Sequence, residues 1–136
     1  MLNNLLLIST IVYIMFSHNI ILAQEKSTDE TLRLDYNTAV WLQRASEETK
    51  YSEECFFDVA KHYYIKVLTQ DSLHLLANYG LGSLYHNKVV YLQRNIDKNI
   101  NNYSDDELKK INSELVELLK TSTMYLAKYQ ELKEKK

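Results

Sequence analysis

Proline is absent from this chain of 136 residues, and glycine occurs only twice, at Gly80 and Gly82. These two residue types interrupt helices and shape tight turns, so their scarcity argues against a turn-rich sheet protein. Leu, Lys, Glu, Asn and Tyr, in contrast, are abundant. The composition therefore predicts an all-α protein.

A second cysteine and a strong excess of charge are also lacking. Cys55 is the single cysteine, so no disulfide can form within one chain and helix packing must stabilise the fold. Its neighbours Phe56 and Phe57 predict that Cys55 is a buried, small apolar residue. The 16 Lys and Arg residues nearly balance the 18 Asp and Glu residues. Because there is no basic stripe, nucleic acid is not expected as a partner.

The first 24 residues carry no Lys, Arg, Asp or Glu, and residues 5–16 form a continuous apolar run. The polar sequence EKSTDE follows directly. This order predicts a secretory signal peptide over residues 1–24, and hence export to the periplasm or cell envelope. An uncleaved membrane anchor is the alternative, because residues 5–23 are just long enough to cross a bilayer. In that case the membrane is contacted only through residues 1–23. Residues 25–136 are expected to form one helical domain.

About four helices are predicted after this segment. Ser27–Glu30 and Ser104–Glu107 have the spacing of capping boxes, which begin helices, and Ser52 is expected to open the second helix. The polar segments that end or separate the helices are residues 46–50, 69–72 and 97–104. Apolar residues at steps of three and four form the expected core: Leu32, Tyr36, Ala39, Val40 and Leu42; Phe56, Phe57, Ala60, Tyr63, Tyr64 and Val67; Leu73, Leu76, Ala77, Gly80, Leu81, Leu84, Tyr85, Val89, Leu92 and Ile96; Leu108, Ile111, Leu115, Leu118, Leu119, Tyr125, Leu126, Tyr129 and Leu132.

Both glycines fall inside the third of these helices. A glycine there either ends the helix or weakens it by about 1 kcal/mol. The apolar pattern continues unchanged on both sides, which favours one uninterrupted helix. A glycine kept inside a helix indicates that another backbone approaches where a Cβ would collide. We assign that role to Gly82, whereas the sequence offers no reason for Gly80.

The residues around Gly82 resemble the tetratricopeptide repeat. Leu81, Gly82 and Tyr85 match the L-G-x-x-Y core of the first helix of that repeat, and Ala60 and Tyr64 match the A-x-x-x-aromatic core of the second. With Val67 these positions fit two successive 34-residue repeats in one register. The string LGSLYHNKVV is also similar to exported bacterial tetratricopeptide proteins. In all, the resemblance covers about residues 55–132. It departs from the family in these residues: Ser72 for Pro, Asn78 for Trp, and Ser122 and Tyr129 for small alanines.

This resemblance implies antiparallel helical hairpins whose inner helices line a groove for a protein or peptide. The residues expected to face the groove are Tyr79, Ser83, His86 and Asn87. A non-enzymatic protein-interaction module of the cell envelope is therefore the predicted function. Self-association is possible, because repeats of this kind normally need about three units for stability. The alternative function is a membrane-anchored structural protein that oligomerises through its fourth helix.

No arrangement of residues predicts an enzyme, a cofactor or a metal. Asp58 and His62 share one helix face, but two further ligands would be needed to hold a metal. Asp71, Ser72 and His74 include the residue types of a catalytic triad, yet their adjacency in a helix-start turn is not the required geometry. Asp71 or Ser72 is instead expected to cap the third helix.

Overall fold

The computed structural model describes residues 28–50 and 54–135. Within these ranges the protein is all-helical and contains no strand, as predicted. There are four α-helices and one short 3-10 helix: α1 (residues 28–48), α2 (Glu54–Gln70), α3 (Leu75–Asn99), the 3-10 helix (Ile100–Asn102) and α4 (Asp105–Glu134). The predicted signal segment, Ser27 and Ser52 lie outside the described residues.

The chain divides into two compact units, residues 1–34 and residues 35–136. In the first unit the described residues, 28–34, are helical. The second unit contains the rest of α1 together with α2, α3 and α4. All contacts discussed below lie within this second unit.

The start of α4 confirms the predicted capping box. The Ser104 hydroxyl accepts a hydrogen bond from the Glu107 backbone N–H, and the Glu107 carboxylate accepts one from the Ser104 N–H at 2.8 Å. These bonds satisfy backbone donors that a helix start leaves unpaired. The Ser104 N–H and the Ser104 hydroxyl both donate to the Glu107 carboxylate, and these bonds lower the pKa of that carboxyl because they favour its charged form.

The start of α3 corrects a prediction, because neither Asp71 nor Ser72 caps it. His74 is the N-cap, and its Nδ1 accepts a hydrogen bond from the Ala77 N–H at 3.1 Å. The Asp71 carboxylate instead accepts from the Leu73 N–H at 3.0 Å, which holds a turn before the helix. At its other end α3 continues to Asn99, three residues into the segment predicted as a linker.

The core lies where α3 packs against its neighbours. The residues with less than one tenth of their surface exposed include Ala39, Leu42, Phe57, Ala60, Tyr64, Val67, Ala77, Leu81, Leu84, Ile96 and Leu115. All of them belong to the apolar pattern of the sequence. The Phe57 ring meets the Tyr85 ring edge-on at 5.5 Å, which joins α2 to α3.

Four residues expected in the core are exposed. Leu73, Leu76 and Leu119 have 60%, 50% and 47% of their surface exposed, and Cys55 is exposed as well. Leu73 precedes α3 and therefore does not follow the helical pattern. Leu76 and Leu119 follow the apolar periodicity of their helices, but they lie on faces that no other helix covers among the described residues. Cys55 is in the first turn of α2, ahead of the buried Phe57.

An ion pair between a buried carboxylate and a partly exposed lysine joins α1 to α2. The Asp35 carboxylate is 6% exposed, and the Lys66 Nζ lies 2.9 Å from both of its oxygens. A buried carboxylate without a cation would be strongly destabilising, so this pair fixes which residues of the two helices can face each other.

Candidate binding groove

The two glycines of α3 contact different helices. A Cβ at Gly80 would lie 2.5 Å from the Cε1 and Cζ atoms of Tyr64, so glycine is needed for the Tyr64 ring to fit against α3. That ring is 1% exposed, and its hydroxyl donates to the Gln43 Oε1 at 2.6 Å. Gly80 thus allows a tyrosine of α2 to bridge α3 and α1.

Gly82 contacts α4. A Cβ there would lie 2.8 Å from the Leu126 Cγ and 3.1 Å from the Leu126 backbone nitrogen. The buried Ser122 hydroxyl donates to the Gly82 carbonyl oxygen at 2.9 Å. The close approach of another helix, predicted from the sequence for Gly82, is therefore confirmed. Ser122, a departure from the repeat pattern, is small enough to be buried at this contact.

These contacts fix the directions of the helices. Two helical residues two positions apart are related by a rotation of about 200° around the helix axis, so Gly80 and Gly82 face opposite sides of α3. Gly82 of α3 contacts Leu126 of α4, and the earlier residue Tyr79 contacts the later residue Tyr129, with ring centres 5.0 Å apart. α3 and α4 therefore run antiparallel. α1 runs parallel to α3, since Tyr36 of α1 contacts His74 and Glu47 contacts Asn87. A groove lies between α1 and α3.

A chain of hydrogen bonds crosses this groove. The Gln43 Nε2 donates to the Glu47 Oε1 at 3.1 Å, and the Asn87 Nδ2 donates to the same oxygen at 2.8 Å. The Tyr64 hydroxyl donates to the Oε1 atom of the same Gln43 amide. The network links α2, α1 and α3, and it holds the Glu47 carboxylate in place between the two walls of the groove.

The middle of the groove is a cavity of about 440 Å³. The four residues predicted from the sequence, Tyr79, Ser83, His86 and Asn87, all line it. The other lining residues are Gln43, Glu47 and Leu126. Aromatic, hydroxyl, imidazole, amide and carboxylate groups therefore converge on one space, in which hydrogen bonds to a polypeptide backbone can form.

A second cavity, of about 220 Å³, adjoins the first and shares Gln43, Glu47 and Tyr79 with it. We call it the aromatic end of the groove. Its remaining lining residues are Tyr36, Val40, Arg44, Tyr64 and Gly80. Burial raises the pKa of the Tyr36 and Tyr64 phenols, so both remain neutral hydrogen-bonding groups.

A third cavity, of about 330 Å³, adjoins the other side and shares Glu47 and Asn87. Its remaining lining residues are Lys50, Val90, Tyr91 and Arg94. We call it the basic end of the groove, because two cationic side chains there oppose one carboxylate.

Sequence reasoning missed the α1 wall of the groove. Gln43 and Glu47 carry no motif, and the resemblance to the repeat does not extend to α1. Their spacing of four residues, which places both side chains on one helix face, was the one available signal. Their alignment with Asn87 depends on long-range packing, which no local pattern specifies.

The residues considered for other chemistry do not form a site. The Asp58 carboxylate pairs with the Lys61 Nζ at 2.7 Å, whereas the His62 ring contacts Tyr63. Across residues 28–50 and 54–135, no group of three His, Cys, Asp or Glu side chains could hold a metal ion. In the same ranges no helix has the length and apolarity needed to span a membrane.

Comparison of the chain with protein-family models, with curated proteins and with solved structures gave no match.

Proposed function

We propose that this protein is a non-enzymatic protein-interaction module of tetratricopeptide type, which binds a segment of a partner polypeptide in the groove between α1 and α3. The observation that carries the proposal is the cavity in which Tyr79, Ser83, His86 and Asn87 meet. The repeat resemblance singled out these four residues from the sequence of α3 alone.

The helix arrangement supports this proposal. α3 lies antiparallel to α4 and contacts it through Gly82, where the repeat pattern requires a small residue. The cavities of the groove follow one another along α3 from Tyr79 to Arg94, a distance of about 22 Å at 1.5 Å per residue. An extended peptide of about seven residues has this length.

The proposal is tested by site-specific photocrosslinking. We replace Ser83 by p-benzoylphenylalanine, irradiate the full chain in envelope extract and identify adducts by mass spectrometry. The matched control carries the same group at Lys110, an exposed position of α4 outside the groove. We expect one polypeptide to be crosslinked at Ser83 and not at Lys110. Absence of a polypeptide adduct at Ser83, or the same adducts at both positions, contradicts the proposal.

Export to the cell envelope is part of the proposal and has its own test. The intact mass of the protein isolated from envelope fractions should lack residues 1–24. A mass that retains residues 1–23 indicates an uncleaved anchor instead.

A second candidate function is self-association through the outer face of α4. Val116, Leu119 and Met124 are 50%, 47% and 57% exposed and lie on this one face. A second copy of the chain would cover them in an antiparallel helix pair. Light scattering of the native chain and of Leu119→Lys tests this candidate, because a dimer that the substitution dissociates supports it and a monomeric native chain rules it out.

A further inference from the structure

The two ends of the groove differ in chemistry, and this difference specifies the partner segment. We infer that the groove selects an extended peptide that carries an aromatic side chain and a carboxylate about five or six residues apart. The aromatic side chain occupies the aromatic end, and the carboxylate lies between Lys50 and Arg94. This inference rests on the proposed function and names the class of polypeptide that the groove accepts.

The aromatic end has the walls that a planar side chain requires. Tyr36, Tyr64 and Tyr79 line it, and the Tyr64 ring fills the space beside Gly80. Aromatic pairs attract each other more strongly than the area they bury accounts for. Arg44, at the same end, adds a guanidinium group of the kind that stacks on aromatic faces.

The basic end requires an anionic group. The chain as a whole has a net charge of −2, yet among the described residues that line this cavity Lys50 and Arg94 oppose one carboxylate, that of Glu47. The Glu47 Oε1 accepts hydrogen bonds from Gln43 and Asn87, which hold that carboxylate on the α1–α3 contact. These lining residues therefore leave one positive charge, which a carboxylate of the partner would balance.

The distance between the ends sets the spacing in the peptide. Gly80 and Arg94 are 14 residues apart on α3, or about 21 Å along the helix axis. Val40 and Lys50 on the opposite wall are separated by about 15 Å on the same basis. An extended peptide rises about 3.3 Å per residue, so five or six residues span the interval.

The test uses fluorescein-labelled nonapeptides of serine and alanine that contain one Trp and one Glu five residues apart, in both orders. Fluorescence anisotropy with the full chain measures their affinity. Two matched peptides replace the Glu by Lys or place Trp and Glu side by side. We expect the spaced Trp–Glu peptide, in at least one order, to bind at least tenfold more tightly than either control peptide.

Protein variants locate the two contacts. Lys50→Glu combined with Arg94→Glu should weaken binding of the Trp–Glu peptide at least tenfold and strengthen binding of the Trp–Lys peptide. Lys110→Glu makes a charge change on the exposed surface of α4, outside the groove, and should leave both affinities within twofold. Tyr79→Ala should weaken binding of both peptides, since each carries the Trp.

Two results would overturn the inference. One is equal affinity for the Trp–Glu and Trp–Lys peptides, and the other is the absence of binding by the spaced peptide at millimolar concentration. Neither result affects the proposed function if Ser83 still crosslinks to a polypeptide. Loss of the Ser83 adduct, in contrast, removes the proposed function itself.

Discussion

The two faces of α3 differ in how they accommodate a neighbour. Toward α2, Gly80 leaves room for the ring of Tyr64, whose hydroxyl reaches Gln43 of α1. Toward α4, Gly82 leaves room for the backbone of Leu126, and Ser122 donates to its carbonyl. The first face brings together three helices through one large polar side chain. The second brings two helix backbones close together through small residues.

This difference explains why one helix contains two glycines two residues apart. Each glycine costs about 1 kcal/mol relative to alanine in a helix, so each must be offset by a contact that a Cβ would prevent. The Gly80 contact forms part of the groove, whereas the Gly82 contact fixes α4 beside it.

The largest effect is expected at the α4 face. Gly82→Leu should destabilise the protein by about 3 kcal/mol or more, because the new side chain meets the Leu126 backbone nitrogen as well as its side chain. Chemical denaturation monitored by circular dichroism measures the change. Ser83→Leu is the matched control, since it places the same side chain one residue later, in an open cavity. Equal unfolding midpoints for Gly82→Leu and the native chain would show that α4 does not approach α3 at Gly82.

At the α2 face, the sign of the effect should depend on Tyr64. Gly80→Ala should cost about 1–2 kcal/mol, since displacement of the buried ring outweighs the helix propensity of alanine. In a Tyr64→Leu background the shorter side chain removes the collision, and Gly80→Ala should then stabilise the helix by about 0.5–1 kcal/mol. Denaturation of the four proteins of this cycle gives both values. If Gly80→Ala has the same cost in both backgrounds, Tyr64 is not the reason for the glycine.

Alkaline pH should weaken the α2 face. Burial raises the pKa of Tyr64 and Tyr36 above the usual value of 10.0, so the folded protein resists ionisation of these phenols more than the unfolded chain does. The stability they contribute is therefore complete below about pH 10 and is lost as the pH rises above that value. Urea unfolding between pH 8 and pH 11 follows this loss. Tyr64→Phe should reduce the pH dependence, and an unchanged slope in that variant would contradict the assignment.

The smallest effect is expected for Ser122→Ala. The substitution removes the hydrogen bond to the Gly82 carbonyl and should cost about 1 kcal/mol, without the steric clash of the glycine variants. Ser113→Ala is a suitable control, because the exposed Ser113 hydroxyl bonds only within α4, to the Lys109 carbonyl. Thermal denaturation compares the two variants. A loss in Ser113→Ala as large as that in Ser122→Ala would argue against a specific contact at Gly82.

Local features of the fold were predictable from the sequence. The near absence of proline and glycine indicated helices, and the Ser104–Glu107 spacing located the start of α4. The role of Gly82 followed from Leu81 and Tyr85 beside it, because these residues form one short motif. The same motif predicted that Tyr79, Ser83, His86 and Asn87 share one face of α3, where they line one cavity.

Features that depend on a distant partner were not predictable. The reason for Gly80 could not be read from the local sequence, because Tyr64 lies sixteen residues earlier and meets Gly80 only after α2 folds back on α3. His74 displaced the expected caps because Asp71 bonds to its own turn. The apolar spacing of α4 predicts that Leu119 lies in the core. Spacing alone does not show how many faces of a helix other helices cover, and Leu119 is exposed.

In the proposed function, the groove between α1 and α3 holds the partner, and the outer face of α4 does not. Amide shift mapping by ¹H–¹⁵N spectroscopy distinguishes the two surfaces, with the polypeptide segment identified by Ser83 crosslinking added to the full chain. We expect shift changes concentrated in residues 79–94 of α3 and 43–50 of α1. Shift changes concentrated at Val116–Met124 of α4, with the groove unaffected, would contradict the proposed function.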